Sequence, residues 1–169
     1  MSSELISISL LCKKNIPGLV NFKYIPFEWM LSNTLNYQGL PYLNNQNYFS
    51  IESINLLPGK DWLEGFFQKG SIVVDYESKE SKDNTFFPVT FEANLVNDDI
   101  LIDQEFNKMV SYRFILLIKD KNNKYRLLGS IKRPLTFSYK KTKSQGKDNY
   151  QFGFTGLTTR SPIIGVYTE

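Results

Sequence analysis

Hydrophobic residues are densest between Tyr112 and Gly129, Y-R-F-I-L-L-I-K-D-K-N-N-K-Y-R-L-L-G. Two apolar stretches, Phe114–Ile118 and Tyr125–Leu128, flank the polar knot Asp120–Lys124. Asn122-Asn123 in that knot tolerates a left-handed backbone, so the run reads as a β-hairpin. Its first arm is apolar on both faces, with Phe114, Leu116 and Ile118 opposed to Ile115 and Leu117. A strand buried on both faces belongs in the middle of a core, and this arm is expected at the centre of the fold.

The rest of the chain is read against that arm. At the start, Ile6, Ile8, Leu10 and Cys12 alternate with Ser7, Ser9 and Leu11, which predicts a first strand. Asn15-Ile16-Pro17-Gly18 is a turn signal, and Leu19–Ile25 a second strand stopped by Pro26. Phe27 to Ser50 has no clean period. Its asparagines and aromatic residues make residues 27–50 an irregular loop, either laid over the core or serving as a lid. Apolar pieces at Ile51–Leu57 and Trp62–Phe67 surround Pro58-Gly59, and the second piece reads as a strand. Ile72, Val74 and Tyr76 alternate with Val73, Asp75 and Glu77, and Val89, Phe91, Ala93 and Leu95 with Thr90, Glu92 and Asn94. Together they predict a long antiparallel hairpin over 71–96 with a polar tip at Ser78–Thr85 and one buried face.

One stretch has helical spacing. Ile102, Phe106, Met109 and Val110 form a stripe, Asp98 or Asp99 can cap it, and Lys108 lies near its end. A short helix is expected at about 99–110. After Arg133-Pro134, Leu135, Phe137 and Tyr139 alternate with Thr136, Ser138 and Lys140, and Tyr150, Phe152 and Phe154 alternate on the return. This second long hairpin, 135–155, has its polar tip at Lys141–Asn149, and Ile163–Tyr167 closes the chain as a last strand. Strands, one helix, then strands fit a single domain, residues 1–169. Its expected class is mainly β, an antiparallel β-sandwich or barrel with one short flanking helix.

Composition narrows the chemistry. The 169 residues are 41% hydrophobic and 22% charged, an ordinary globular balance, and no apolar run approaches a membrane span. A formal charge of +3 is too small to argue for a dedicated nucleic-acid binder. One cysteine, Cys12, cannot form an internal disulfide or a cysteine cluster. With no histidine, Ser-His and Cys-His pairs and the usual zinc sites are excluded. No enzyme, metal or cofactor is expected, although carboxylate-only chemistry survives the argument.

Three groupings could still carry function. Asp98, Asp99, Asp103 and Glu105 could serve a cation or acid–base chemistry, but capping and the helix dipole explain them as well. Lys140, Lys141, Lys143 and Lys147 stand near Phe137, Tyr139, Tyr150 and Phe152. Such interleaving suits single-stranded nucleic acid, provided the rings face solvent. The third grouping is the pair of hairpin tips. Asp75, Glu77, Glu80 and Asp83 lie near one and the four lysines at the other, a pairing that neighbouring subunits could use for register.

Two stretches together resemble a known family. One is K-K-N-I-P-G-L-V-N-F-K-Y-I-P-F-E-W, Lys13 to Trp29. The other runs from the helix through F-I-L-L-I-K-D-K-N-N-K-Y-R-L-L-G-S-I-K-R-P-L-T-F-S-Y to Y-Q-F-G-F-T-G and S-P-I-I-G-V-Y. The layout is similar to small structural proteins of tailed bacteriophages of Bacteroidetes-type hosts, of the tail-tube and tail-completion kind. Asn122-Asn123 departs from the Asn-Gly expected in that turn. The resemblance implies a non-catalytic virion protein of the tail tube, tail terminator or head–tail connector class, assembled in the host cytoplasm. It further implies a homo-oligomeric ring, hexameric in such proteins, that contacts other tail or connector proteins and passes phage DNA through its lumen without reading sequence. No membrane partner is implied. The alternative is a small β-barrel that binds single-stranded nucleic acid through Lys140–Lys147.

Overall fold

The computed structural model describes residues 5–8, 19–31, 48–50, 54–68, 73–75, 79–81, 84–96, 100–119, 125–144, 147–158 and 163–166. Eleven strands appear among them: β1 (Leu19–Pro26), β2 (Tyr48–Ser50), β3 (Leu63–Gln68), β4 (Val73–Asp75), β5 (Lys79–Ser81), β6 (Asn84–Val96), β7 (Arg113–Lys119), β8 (Tyr125–Leu128), β9 (Leu135–Ser144), β10 (Lys147–Thr158) and β11 (Ile163–Val166). The helix α1 spans Ile100–Met109, between β6 and β7. Among the described residues the chain is mainly β, with the short flanking helix that the spacing predicts.

β7 is the centre. Residues 114–118 are all buried and its two end residues are exposed. Leu116 lies opposite both Tyr24 of β1 and Leu128 of β8, so both edges of the strand are paired. Two residues earlier, Phe114 lies opposite Pro26 and Leu135, so on the β8 side β9 has taken over as partner. The sheet forks there. One branch runs β8, β11, β2; the other runs β9, β10, β6, β4, while β5 pairs with β6 and β3 with β1. Most ladders are antiparallel, but β11 and β2 are parallel.

Gly129 makes the fork possible. It sits at φ +82°, and a Cβ there would come within 3.1 Å of the Phe114 carbonyl and of Leu135. A left-handed backbone and a close approach together favour glycine. The loop beyond it is tied by reciprocal bonds: Ser130 N–H donates to the Arg133 carbonyl and Arg133 N–H to that of Ser130, each 3.1 Å.

The branch through β9, β10 and β6 curls until β6 comes against β3, with Phe67 edge-on to Phe91 at 6.0 Å. Inside lies the main core. Phe22 and Tyr24 (β1), Phe91 (β6), Phe114 (β7), Phe137 (β9), and Phe152 and Phe154 (β10) meet there in tilted and edge-to-face contacts. Such rings add dispersion and quadrupole terms to their burial. α1 closes this core with Ile102, Phe106 and Met109; Phe106 stands 5.2 Å from Phe137 and 5.3 Å from Tyr150. The other face of the wall forms a second core from Ile25, Met30, Ile54, Ile115, Leu117 and Leu127. The two-faced apolar pattern of β7 is thus a partition between two cores.

The N-terminal expectation fails where it can be checked. Residues 5–8 form no ladder, Leu5 and Ile8 are buried, and Ile6 is 42% exposed. Ile6 and Ile8 therefore do not share a face, and residues 9–18 lie outside the described residues. Val110, assigned to the helical stripe, follows the helix and is exposed. Within 27–50, Phe27–Trp29 form one turn of 3-10 helix, Met30 bridges to Leu56, and Tyr48–Ser50 form β2. Residues 32–47 lie outside the described residues, as does the knot Asp120–Lys124. Pro58-Gly59 is a turn in which Lys60 N–H reaches the Leu57 carbonyl at 3.0 Å, with Gly59 at φ +76°, the type II arrangement.

Candidate assembly surfaces and the helix clasp

The β9–β10 hairpin extends beyond the stretch that lines the core. In β9–β10, Phe154↔Phe137, Phe152↔Tyr139 and Tyr150↔Lys141 line the inner face. The ladder then continues through Asn149↔Thr142, Asp148↔Lys143 and Lys147↔Ser144. The polar stretch Lys141–Asn149, expected as a tip, is mostly paired strand, and only 145–146 separate its arms. The same holds at the other hairpin: Lys79, Glu80 and Ser81 pair with Phe86, Thr85 and Asn84 inside the stretch Ser78–Thr85. Strand pairing satisfies backbone groups whatever the side chains, so polar residues can prolong a ladder that the hydrophobic pattern does not reveal.

The two ends point in opposite directions. β6 is thirteen residues long and belongs to both hairpins. Its Val96 end lies opposite Asn149, beside the lysine-bearing extension, and its Asn84 end forms the β5 extension. At about 3.3 Å per residue the strand separates those ends by roughly 40 Å.

Of the expected contact residues, Asp75 lies in β4 opposite Thr90, away from the tip, and Glu80 lies in β5 opposite Thr85. Glu77 and Asp83 lie outside the described residues. Lys140 is exposed on the outer face opposite Gln151, and Lys143 is exposed opposite Asp148. Lys147 pairs with Ser144 at the end of the ladder.

Lys141 has a different role. Its ammonium is 3.0 Å from Asp148 and 3.6 Å from Asp103 of α1, and 5.4 Å from the centre of the Tyr150 ring. Beside it, the Tyr139 hydroxyl donates to Asn107 Oδ1 at 2.8 Å, with Asp103 Oδ1 at 3.5 Å. Asp103 and Asn107, one helical turn apart, thus clasp α1 to the β9–β10 hairpin. The hydrogen bond that the Lys141 ammonium donates to Asp148 pushes Lys141 well above the usual lysine range. Burial, reinforced by the Asp103 carboxylate, raises the Tyr139 phenol, and burial raises Tyr150. Among the described residues, the Tyr150 hydroxyl and Asn149 Oδ1 are buried with no hydrogen-bond partner in good geometry, the Lys141 ammonium lying over the Tyr150 ring.

The signal for this clasp lay in Asp103 and Asn107 at i and i+4. Read from sequence, Asp103 is explained by the helix dipole and Lys141 by solvation, and nothing local sets one against the other. Glu105 is a second such case. Its side chain is 2% exposed and accepts the Ile6 N–H at 2.6 Å, with Lys108 at 3.3 Å.

The aromatic residues of β9 and β10 face inward: Phe137, Tyr150 and Phe152 are buried and Tyr139 is half-buried under α1. The exposed lysines therefore lack the exposed rings, within this hairpin, that base stacking needs. A cleft of about 490 Å³ lies beside the Pro58-Gly59 turn, lined by Lys23, Lys60, Asp61 and Trp62 among others. Lys60 is 4.7 Å from the Trp29 ring, which accounts for its placement as packing. Among the described residues, no three metal-ligating side chains converge. No helix there is long and apolar enough to cross a membrane.

Comparison with protein-family models, with curated proteins and with solved structures gave no match.

Proposed function

We propose that the protein is a non-catalytic structural subunit that assembles with copies of itself into a ring or tube, of the tail tube, tail terminator or head–tail connector class of tailed phages. The single observation that carries this reading is the pair of ladder extensions at opposite ends of β6. The β9–β10 extension continues past its last core-lining rung and adds the exposed Lys143. Extended β-ribbons at both ends of one sheet suit head-to-tail contacts, which close into rings or propagate into tubes. The basic extension and the acidic residues along the other hairpin supply charge complementarity for register. The resemblance of Lys13–Trp29 and of the C-terminal half to phage tail proteins supports the same reading.

The test is a variant in which Lys140, Lys143 and Lys147 become glutamate. Lys141 is left in place because it holds α1. Rim charges act mainly on encounter and register, so the variant is expected to keep the wild-type circular dichroism and melting curve while losing assembly. Normal assembly of the variant at low salt would remove the extension from the interface.

A further inference from the structure

Residues 5–8 are held differently from the rest of the chain. They belong to no strand ladder, yet Leu5 is 4% exposed and Ile8 0%, both within the main core. Among the described residues, side chains join them to β1, β3 and α1. Ser7 Oγ donates to the Glu64 carbonyl and accepts the Glu64 N–H, each at 2.7 Å, which covers both backbone groups of one β3 residue. The Tyr24 hydroxyl accepts the Ile8 N–H at 3.3 Å and donates to the Ile6 carbonyl at 3.4 Å. Glu105 of α1 accepts the Ile6 N–H at 2.6 Å, the shortest bond of the set.

We propose that residues 5–8 are a detachable strap that seals the main core between β1, β3 and α1, latched by Glu105, and that it opens as a unit while the barrel stays folded. The barrel ladders do not depend on it, since β1 and β3 pair with each other and β1 with β7 throughout. Segments outside the strand ladders open at lower free energy than the strands beneath them. What makes Glu105 the latch is its charge. An ionised carboxylate accepts the strap N–H and the Lys108 ammonium together, and a charge-assisted bond of this kind is stronger than a neutral one.

Lys108 is the charged group that touches Glu105. On the other elements around it, β1 brings the Tyr24 hydroxyl and Lys23, and β3 brings Glu64, whose backbone holds Ser7. The strap residues 5–8 carry no ionisable side chain.

Amide exchange measured by NMR on the full chain tests this, with protection factors corrected for intrinsic rate. In Glu105→Gln, the Ile6 amide is expected to lose about tenfold or more of its protection at neutral pH, while the Leu116 amide of β7 keeps its own; this reflects exchange of a charge-assisted bond for a neutral one. Ser7→Ala serves as the independent variant, with loss expected at Ile6 and Ile8 alone. Unchanged Ile6 protection in both variants, or loss shared equally by Leu116, would overturn the proposal.

Discussion

At the scale of single residues, the structure turns on side chains whose neighbours leave no room for change. Leu116 is fully buried, with paired strands on both edges of its backbone. Leu116→Ala is expected to destabilise the fold by about 2–5 kcal/mol, the transfer loss plus the cavity left in a wall that cannot collapse from either side. Denaturant unfolding checks this, and an unchanged midpoint would mean that β7 is not the centre. Gly65 makes the opposite point. A Cβ there would lie 2.5 Å from the Phe22 ring, itself packed against Tyr24, Phe67 and Phe91. Gly65→Ala should cost about 1–3 kcal/mol by forcing that ring cluster apart, and wild-type stability in the variant would show that the ring can move.

At the scale of elements, the clasp between α1 and the β9–β10 hairpin has a pH signature. The Tyr139 and Tyr150 phenols are raised in the folded state, chiefly by burial, and Lys141 is raised by its bond to Asp148. A raised folded value contributes stability that is fully present below the unfolded value and is lost as pH rises through the folded one. The window is therefore alkaline, opening near the ordinary phenol value of about 10. The melting temperature should fall above that pH, and fall less steeply in Tyr139→Phe, which has no phenol to ionise there. Equal slopes would remove Tyr139 from the linkage.

The elements themselves were legible wherever apolar residues alternate along a half-buried face. β6, β9, β10 and the helix follow their patterns, because burial of one face writes period two or 3.6 into the sequence, while β7 shows as an apolar run buried on both faces. The N-terminal segment was misread because Leu5 and Ile8 are buried while Ile6 between them is exposed. What holds it is polar: Ser7 on β3, the Tyr24 hydroxyl, and Glu105. The hairpin extensions were hidden for a related reason, since Thr142↔Asn149 and Lys143↔Asp148 pair through backbone without burying anything apolar. Of the candidate contact residues, sequence placed Lys140 and Lys143 on the surface correctly. It could not separate Lys141, whose partner Asp103 is far away in the chain. The forked topology was not legible either, because it depends on which strand takes over the edge of β7 at Phe114.

At the scale of the whole molecule, a barrel sealed by α1, with a β-ribbon continuing from each end of β6, has the form of a building block. The proposed function stands on that form, on the charge carried by the two ribbons, and on the likeness of the sequence to phage tail proteins. The most direct test is sedimentation velocity of the wild-type chain over a wide concentration range at low and high salt, with electron microscopy of the largest species. The account predicts a ring-sized or tubular species that grows with concentration, with annular particles in the images. A chain that sediments as a monomer at every concentration and salt, with no annular particle in the images, would contradict it.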